Sequence, residues 1–237
     1  MSASVTLGSS ATARSVATAA QDVTLVDRPF RCSSYAQPLD LGTVKVEITP
    51  SAAQPYDAMK LEGGCSGAIR RIEIDTWRAD GVKVGDGAHD LTIGGGYIYE
   101  HDRGPLAHQD GIQVMGGSNV TFHNLLVYAP TSNNAALFVN GDDPPPTDVV
   151  CDSCVIVPGN KAVQIGHSAD SGLRNSFVFW GKREMDVSSD PTVAINPVDL
   201  NNVHPGYCIT PMTAGDEGPY CPTANPNVVP PAVPSPG

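Results

Sequence analysis

Apolar and polar residues alternate with a period of two through the middle of the chain, and the alternation comes in short recurring blocks. One block reads Asp57-Ala-Met-Lys-Leu61, Asp80-Gly-Val-Lys-Val84, Asp110-Gly-Ile-Gln-Val114, Ala135-Ala-Leu-Phe-Val139, Lys161-Ala-Val-Gln-Ile165 and Arg183-Glu-Met-Asp-Val187. Successive copies start 22 to 30 residues apart. A second block precedes most of them, as in Val44–Ile48, Arg70–Ile74, His89–Ile93, Asn119–Phe122, Asp148–Cys151 and Gly172–Asn175. Each unit therefore holds at least two strands, with Gly, Asn, Asp and Ser at the turns. Period-2 alternation sends neighbouring side chains to opposite faces. Met59, Val82, Ile112, Leu137, Val163 and Met185 then form one inward column. Leu61, Val84, Val114, Val139, Ile165 and Val187 form a second, and Lys60, Lys83, Gln113, Phe138, Gln164 and Asp186 point outward between them.

A repeat of this length means stacked units. Leucine-rich repeats share the period, but their Leu-rich consensus and helical return are missing. Short strands, turn residues and no helical periodicity predict an all-β chain: a single-domain right-handed parallel β-helix, a solenoid of about six coils. Its expected limits are residues 38–200. Residues 1–37 form an N-terminal segment and cap, 201–221 a C-terminal disulfide-linked segment, and 222–237 a Pro-rich disordered tail.

Composition narrows the class. The 24 Gly and 21 Pro argue against a helix bundle, and 16% charged with 41% hydrophobic residues argues against a disordered polyelectrolyte. A formal net charge of −11 lacks the basic footprint of a nucleic-acid binder. No apolar run is long enough for a membrane span. The even number of cysteines, six, predicts disulfides and a secreted, extracellular setting. Cys32–Cys65 and Cys208–Cys221 are the expected pairs; Cys151 and Cys154 stand open as a disulfide, a free pair or half of a metal site. A monomer is expected.

Candidate chemistry gathers on one strip. The longest unit, from Asp80 to Asp110, carries the loop Glu100-His-Asp-Arg-Gly-Pro-Leu-Ala-His108, and insertions on repeat scaffolds mark binding faces. Coils lie about 4.8 Å apart, so Asp80 and Asp110 are expected to share a cation, with Ca2+ the candidate, or to raise one another's pKa. The plainer reading is that Asp starts each turn by bonding nearby backbone. Lys161 and Arg183 take the place of Asp in later units, so the column turns from acidic to basic. Around it lie Arg78, Arg103, Gln113, Phe138 and Gln164, an aromatic ring among amide and charged donors, which suits sugar rings. The candidate catalytic set is His108, Asp110, Lys83 and Lys161, and the candidate substrate-binding set Arg78, Arg103, Gln113, Phe138, Gln164 and Arg183.

The stretch from Gly87-Ala-His-Asp-Leu-Thr-Ile93 through His108-Gln-Asp-Gly-Ile-Gln-Val-Met-Gly-Gly117 resembles secreted bacterial right-handed parallel β-helix proteins of the pectate-lyase-like superfamily. The resemblance covers roughly residues 40–190. It implies a carbohydrate-active protein acting on an acidic polysaccharide, first by β-elimination as a polysaccharide lyase. A glycoside hydrolase using Asp80 and Asp110, or a non-catalytic glycan-binding β-helix, are the alternatives.

Overall fold

The computed structural model describes residues 20–52, 57–77, 80–101, 109–129, 134–141, 144–159, 161–168, 170–174, 176–178, 185–187 and 209–210. They form a parallel β-helix whose strands all pair in parallel. Among the described residues, no helix is long and apolar enough to cross a membrane.

The first ladder is built from the recurring block. Phe30–Arg31, Met59–Leu61, Val82–Val84, Ile112–Val114, Ala135–Val139, Lys161–Ile165, Met185–Val187 and Ile209–Thr210 follow one another in space as in sequence. Met59 pairs with Val82, Val82 with Ile112, Ile112 with Leu137 and Leu137 with Val163. All five side chains are buried, as are Leu61, Val84, Val114, Val139 and Ile165 in the neighbouring column. Both inward columns thus stack as the alternation predicts. The side chains of Met185 and Val187 lie outside the described residues.

The second block is two ladders rather than one. Gln21–Val26, Leu39–Ile48 and Gly67–Thr76 pair side by side, so the ladders begin before Pro38. Beyond Gly67–Thr76 the sheet divides. The first half of that strand pairs with His89–Gly94, followed by Ser118–His123, Thr147–Asp152 and Gly172–Arg174. The second half pairs with Gly96–Glu100, followed by Leu126–Ala129, Val155–Pro158 and Phe177–Val178.

The division has a local cause. Gly95, Asn124 and Ser153 occupy the same place in three successive coils, with φ of 56°, 54° and 57°. A left-handed residue turns the extended chain, and Gly and Asn are among the residues that adopt it at least cost. The backbone N–H of Gly95 donates to the His123 carbonyl, and that of Asn124 to the Asp152 carbonyl, so the bend keeps its intercoil hydrogen bonds. At Gly96, φ is 92° and a Cβ would overlap the Ile72 carbonyl, so only glycine fits.

The coil count differs slightly from six. Among the described residues, four coils, opening at Val82, Ile112, Ala135 and Lys161, carry all three strands. The two before them carry one ten-residue strand in place of the second and third. Ile69, Ile72, Ile74, Leu91, Ile93, Ile98, Val120, Phe122 and Val127 fill the interior from the second and third ladders. Cys32 and Cys65 are disulfide bonded, as expected, and so are Cys151 and Cys154, which closes the question left open for that pair. Cys208–Cys221 lies outside the described residues.

Candidate functional site

Two of the three aspartates that open the recurring block, Asp80 and Asp110, sit where the coil turns into the first ladder. Their carboxylates run along the solenoid axis, each serving the coil that follows. Asp80 Oδ1 accepts the Asp110 backbone N–H at 2.9 Å, and Asp110 Oδ1 accepts the Ala135 N–H at 2.8 Å. Asp110 Oδ2 also accepts from Gln113 Nε2 at 3.1 Å and Asn134 Nδ2 at 3.2 Å. The backbone runs alongside: Ala58 N–H donates to the Asp80 carbonyl and Gly81 N–H to the Asp110 carbonyl. The aspartates are therefore an intercoil form of the turn-capping role that Asp plays beside backbone donors.

Both are buried, Asp80 at 6% exposure and Asp110 at 0%. Burial, then the nearby Asp110 charge, push the Asp80 carboxyl up to about 7, with Asp57 adding to the rise. The Asp110 N–H and Lys83 oppose it. Asp110 thus contributes to the rise at Asp80, second to burial.

A third carboxyl completes this corner. Glu100 ends the strand Gly96–Glu100 with the same inward parity as Ile98 and is 2% exposed. Neither of its carboxylate oxygens has a hydrogen-bond partner. The nearby Gly81 N–H pulls its pKa down slightly, but that group donates to the Asp110 carbonyl. Burial, then Asp80 and Asp110, hold the Glu100 carboxyl well above the usual range. Sequence reading assigned Glu100 to a charged loop. Its parity with Ile98 was the available signal.

Calcium takes roughly six to eight oxygen ligands. Among the described residues, no group of three or more His, Cys, Asp or Glu side chains is arranged to hold a metal ion. Both Asp110 oxygens and one Asp80 oxygen face N–H donors instead. The described residues do not fit a calcium site.

The outward strip exists, and much of it is tied to the corner. Lys60, Lys83, Gln113, Phe138 and Gln164 are in register across five coils. Gln113 and Gln164 were expected to face a ligand, yet they are only 8% and 7% exposed. Gln113 donates to Asp110, and Gln164 Oε1 accepts from Lys161 Nζ at 3.0 Å. The same three-residue spacing links Asp110 to Gln113 and Lys161 to Gln164. Phe138 and Lys83 are half-buried on the strip. Arg78, Arg103, His108 and Arg183 lie outside the described residues.

The third ladder carries an outward face absent from the sequence reading. Glu73 pairs with Tyr97 and Tyr97 with Leu126; Asp75 pairs with Tyr99 and Tyr99 with Tyr128. Val155 and Val157 continue the two rows. The Tyr97 and Tyr99 rings, and the Tyr99 and Tyr128 rings, are each 5.1 Å apart between centroids. At the edge, Trp77 stacks on His101 at 4.1 Å and 3°, and His101 Nε2 lies 2.8 Å from Asp75 Oδ1. The signal was in Tyr97-Ile-Tyr99, Leu126-Val-Tyr128 and Val155-Ile-Val157, where apolar residues fill the outward as well as the inward positions.

Compared with protein-family models, with curated proteins and with solved structures, the chain matches none.

Proposed function

We propose that this protein is a carbohydrate-active β-helix that engages an acidic polysaccharide along the first ladder and acts on it by β-elimination. The observation that carries the reading is the in-register strip of Lys83, Gln113, Phe138 and Gln164, with Lys161 at its far end. Lysines beside an aromatic ring suit a uronate-bearing chain, and β-elimination needs a cation to neutralise the carboxylate and a base to take the C5 proton. Lys83 and Lys161 are assigned to the first task, and His108, outside the described residues, to the second. The strip presents no free pair of carboxylates, since Asp110 is buried and hydrogen bonded through both oxygens. The two-carboxylate hydrolase is for that reason the less supported enzyme reading. The resemblance to the pectate-lyase-like superfamily belongs to this proposal. So does the extracellular setting, which the two disulfides support.

Non-catalytic glycan binding is the second reading, favoured by the tyrosine rows of the third ladder and by the commitment of Gln113 to Asp110 and of Gln164 to Lys161. The test is a product assay on pectate, alginate, glucuronan and a neutral xylan. A lyase releases unsaturated sugars that absorb in the near ultraviolet, and Lys83→Ala lowers that rate by about 10²-fold. Reducing ends without the absorbance favour a hydrolase. Binding without products favours the second reading, and loss of that binding in Tyr99→Ala assigns it to the third ladder.

A further inference from the structure

Glu100 presents an unusual arrangement. A carboxyl with no hydrogen-bond partner is buried beside two others, Asp80 and Asp110, inside the stack of coils. An ionised carboxylate left unpaired in such surroundings is strongly disfavoured, and the strain is relieved by keeping a proton. Among the described residues, no group of three or more His, Cys, Asp or Glu side chains is arranged to hold a metal ion that would neutralise it. Asp110 already has donors at both oxygens, whereas Asp80 has its N–H at Oδ1 alone among the hydrogen bonds described above. The charged groups acting on the corner, among the described residues, are Asp57, Asp80, Asp110 and Lys83. Among the described residues, Lys83 is the one cation named there, against four carboxyls.

We propose that Glu100, Asp80 and Asp110 form a proton-locked corner, in which the junction of the coils opening at Asp80 and Asp110 is closed while protons remain on Glu100 and Asp80 and loosens as they leave. Removing those protons places like charges together in the core. The elements that separate are the ones the corner joins: the Asp110 N–H bond to the Asp80 carboxylate, the Gly81 N–H bond to the Asp110 carbonyl and the Gly111 N–H bond to the Ala135 carbonyl. The inference does not rest on the glycan reading, since it concerns the coil stack itself.

Hydrogen exchange on the whole chain tests it. Between about pH 6 and about pH 9, the protection factors of the Gly81, Asp110 and Gly111 amides should fall at least about tenfold more than those of Val120 and Val149, which lie on the second ladder. In E100Q the excess fall should shrink or vanish. The infrared spectrum of wild type at neutral pH should show a protonated carboxylic acid band that shifts on 13C-labelling of glutamate and that E100Q lacks. Equal pH behaviour of corner and second-ladder amides would overturn the proposal, as would an excess fall undiminished in E100Q. If E100Q does not fold, wild type alone decides, with 13C-labelled glutamate identifying the band: its absence at neutral pH overturns the proposal.

Discussion

Asp110 joins two successive coils through one side chain. Its oxygens accept the Ala135 N–H, the Gln113 amide and the Asn134 amide, and it is fully buried. Asp110→Ala strands those donors, and each buried unsatisfied group costs about 1–3 kcal/mol. The expected loss is about 3 kcal/mol or more, read as a lower urea midpoint with unchanged slope. Asp80 works in the other sense. Its folded pKa is raised from 3.8 to about 7, so the folded state holds a proton that the unfolded state has released between those values. Its contribution is intact below about pH 4 and is lost as pH rises through 7. Three pKa units correspond to at most about 4 kcal/mol, reduced by coupling to Asp110 and Glu100. Asp80→Asn should therefore flatten the decline in wild-type stability between about pH 4 and 8. A decline of equal slope in the variant would contradict this. That Asp recurs at turns was visible in the chain. That it caps the next coil was not, because the donors at Asp110 come from Gln113, in the same block, and from Asn134 and Ala135, some 25 residues on.

At the scale of strands, the bend residues divide one face of the solenoid into two. Gly67–Thr76 runs straight through the place where Gly95, Asn124 and Ser153 turn the later coils. Gly96 follows that bend in close contact with the Ile72 carbonyl at positive φ. Gly96→Ala is expected to destabilise by about 1–3 kcal/mol or more, through backbone strain and the displaced neighbouring strand. A thermal melt at or above wild type would show that the bend tolerates a side chain. The alternation in the chain marks where strands lie and which side faces inward. It is silent on the division, because Arg70-Arg71 in the straight strand and Gly94-Gly95 in the bent coil occupy corresponding positions, and only the φ of Gly95 turns the chain.

For the molecule as a whole, each coil buries its aliphatic columns only against its neighbours, so stability accumulates along the stack. The Cys32–Cys65 disulfide closes the loop between the first two coils of the first ladder, where Phe30–Arg31 pairs with Met59–Lys60. Replacing both cysteines by serine should cost about 2–5 kcal/mol at most, in the coils nearest that end. Hydrogen exchange should show lower protection at Met59 than at Val163; uniform loss along the stack would mean that the solenoid unfolds as one unit. The outward faces divide the surface by chemistry. The first ladder presents lysine, amide and phenylalanine, and the third presents tyrosine rows rising from Glu73 and Asp75.

The chain by itself determined the parallel β-helix and the two aliphatic columns of the first ladder, because period-2 alternation repeated every 22 to 30 residues has one economical way to bury its apolar side. Tertiary structure alone decided which polar residues are spent on holding the stack. Gln113 and Gln164 alternate outward in the pattern, yet they are drawn against Asp110 and Lys161; Glu100 reads as loop, yet it turns into the core. The physical reason is that alternation fixes the face on which a side chain starts, whereas its partner and its burial come from the coils above and below. Those neighbours are fixed only once the coils have stacked.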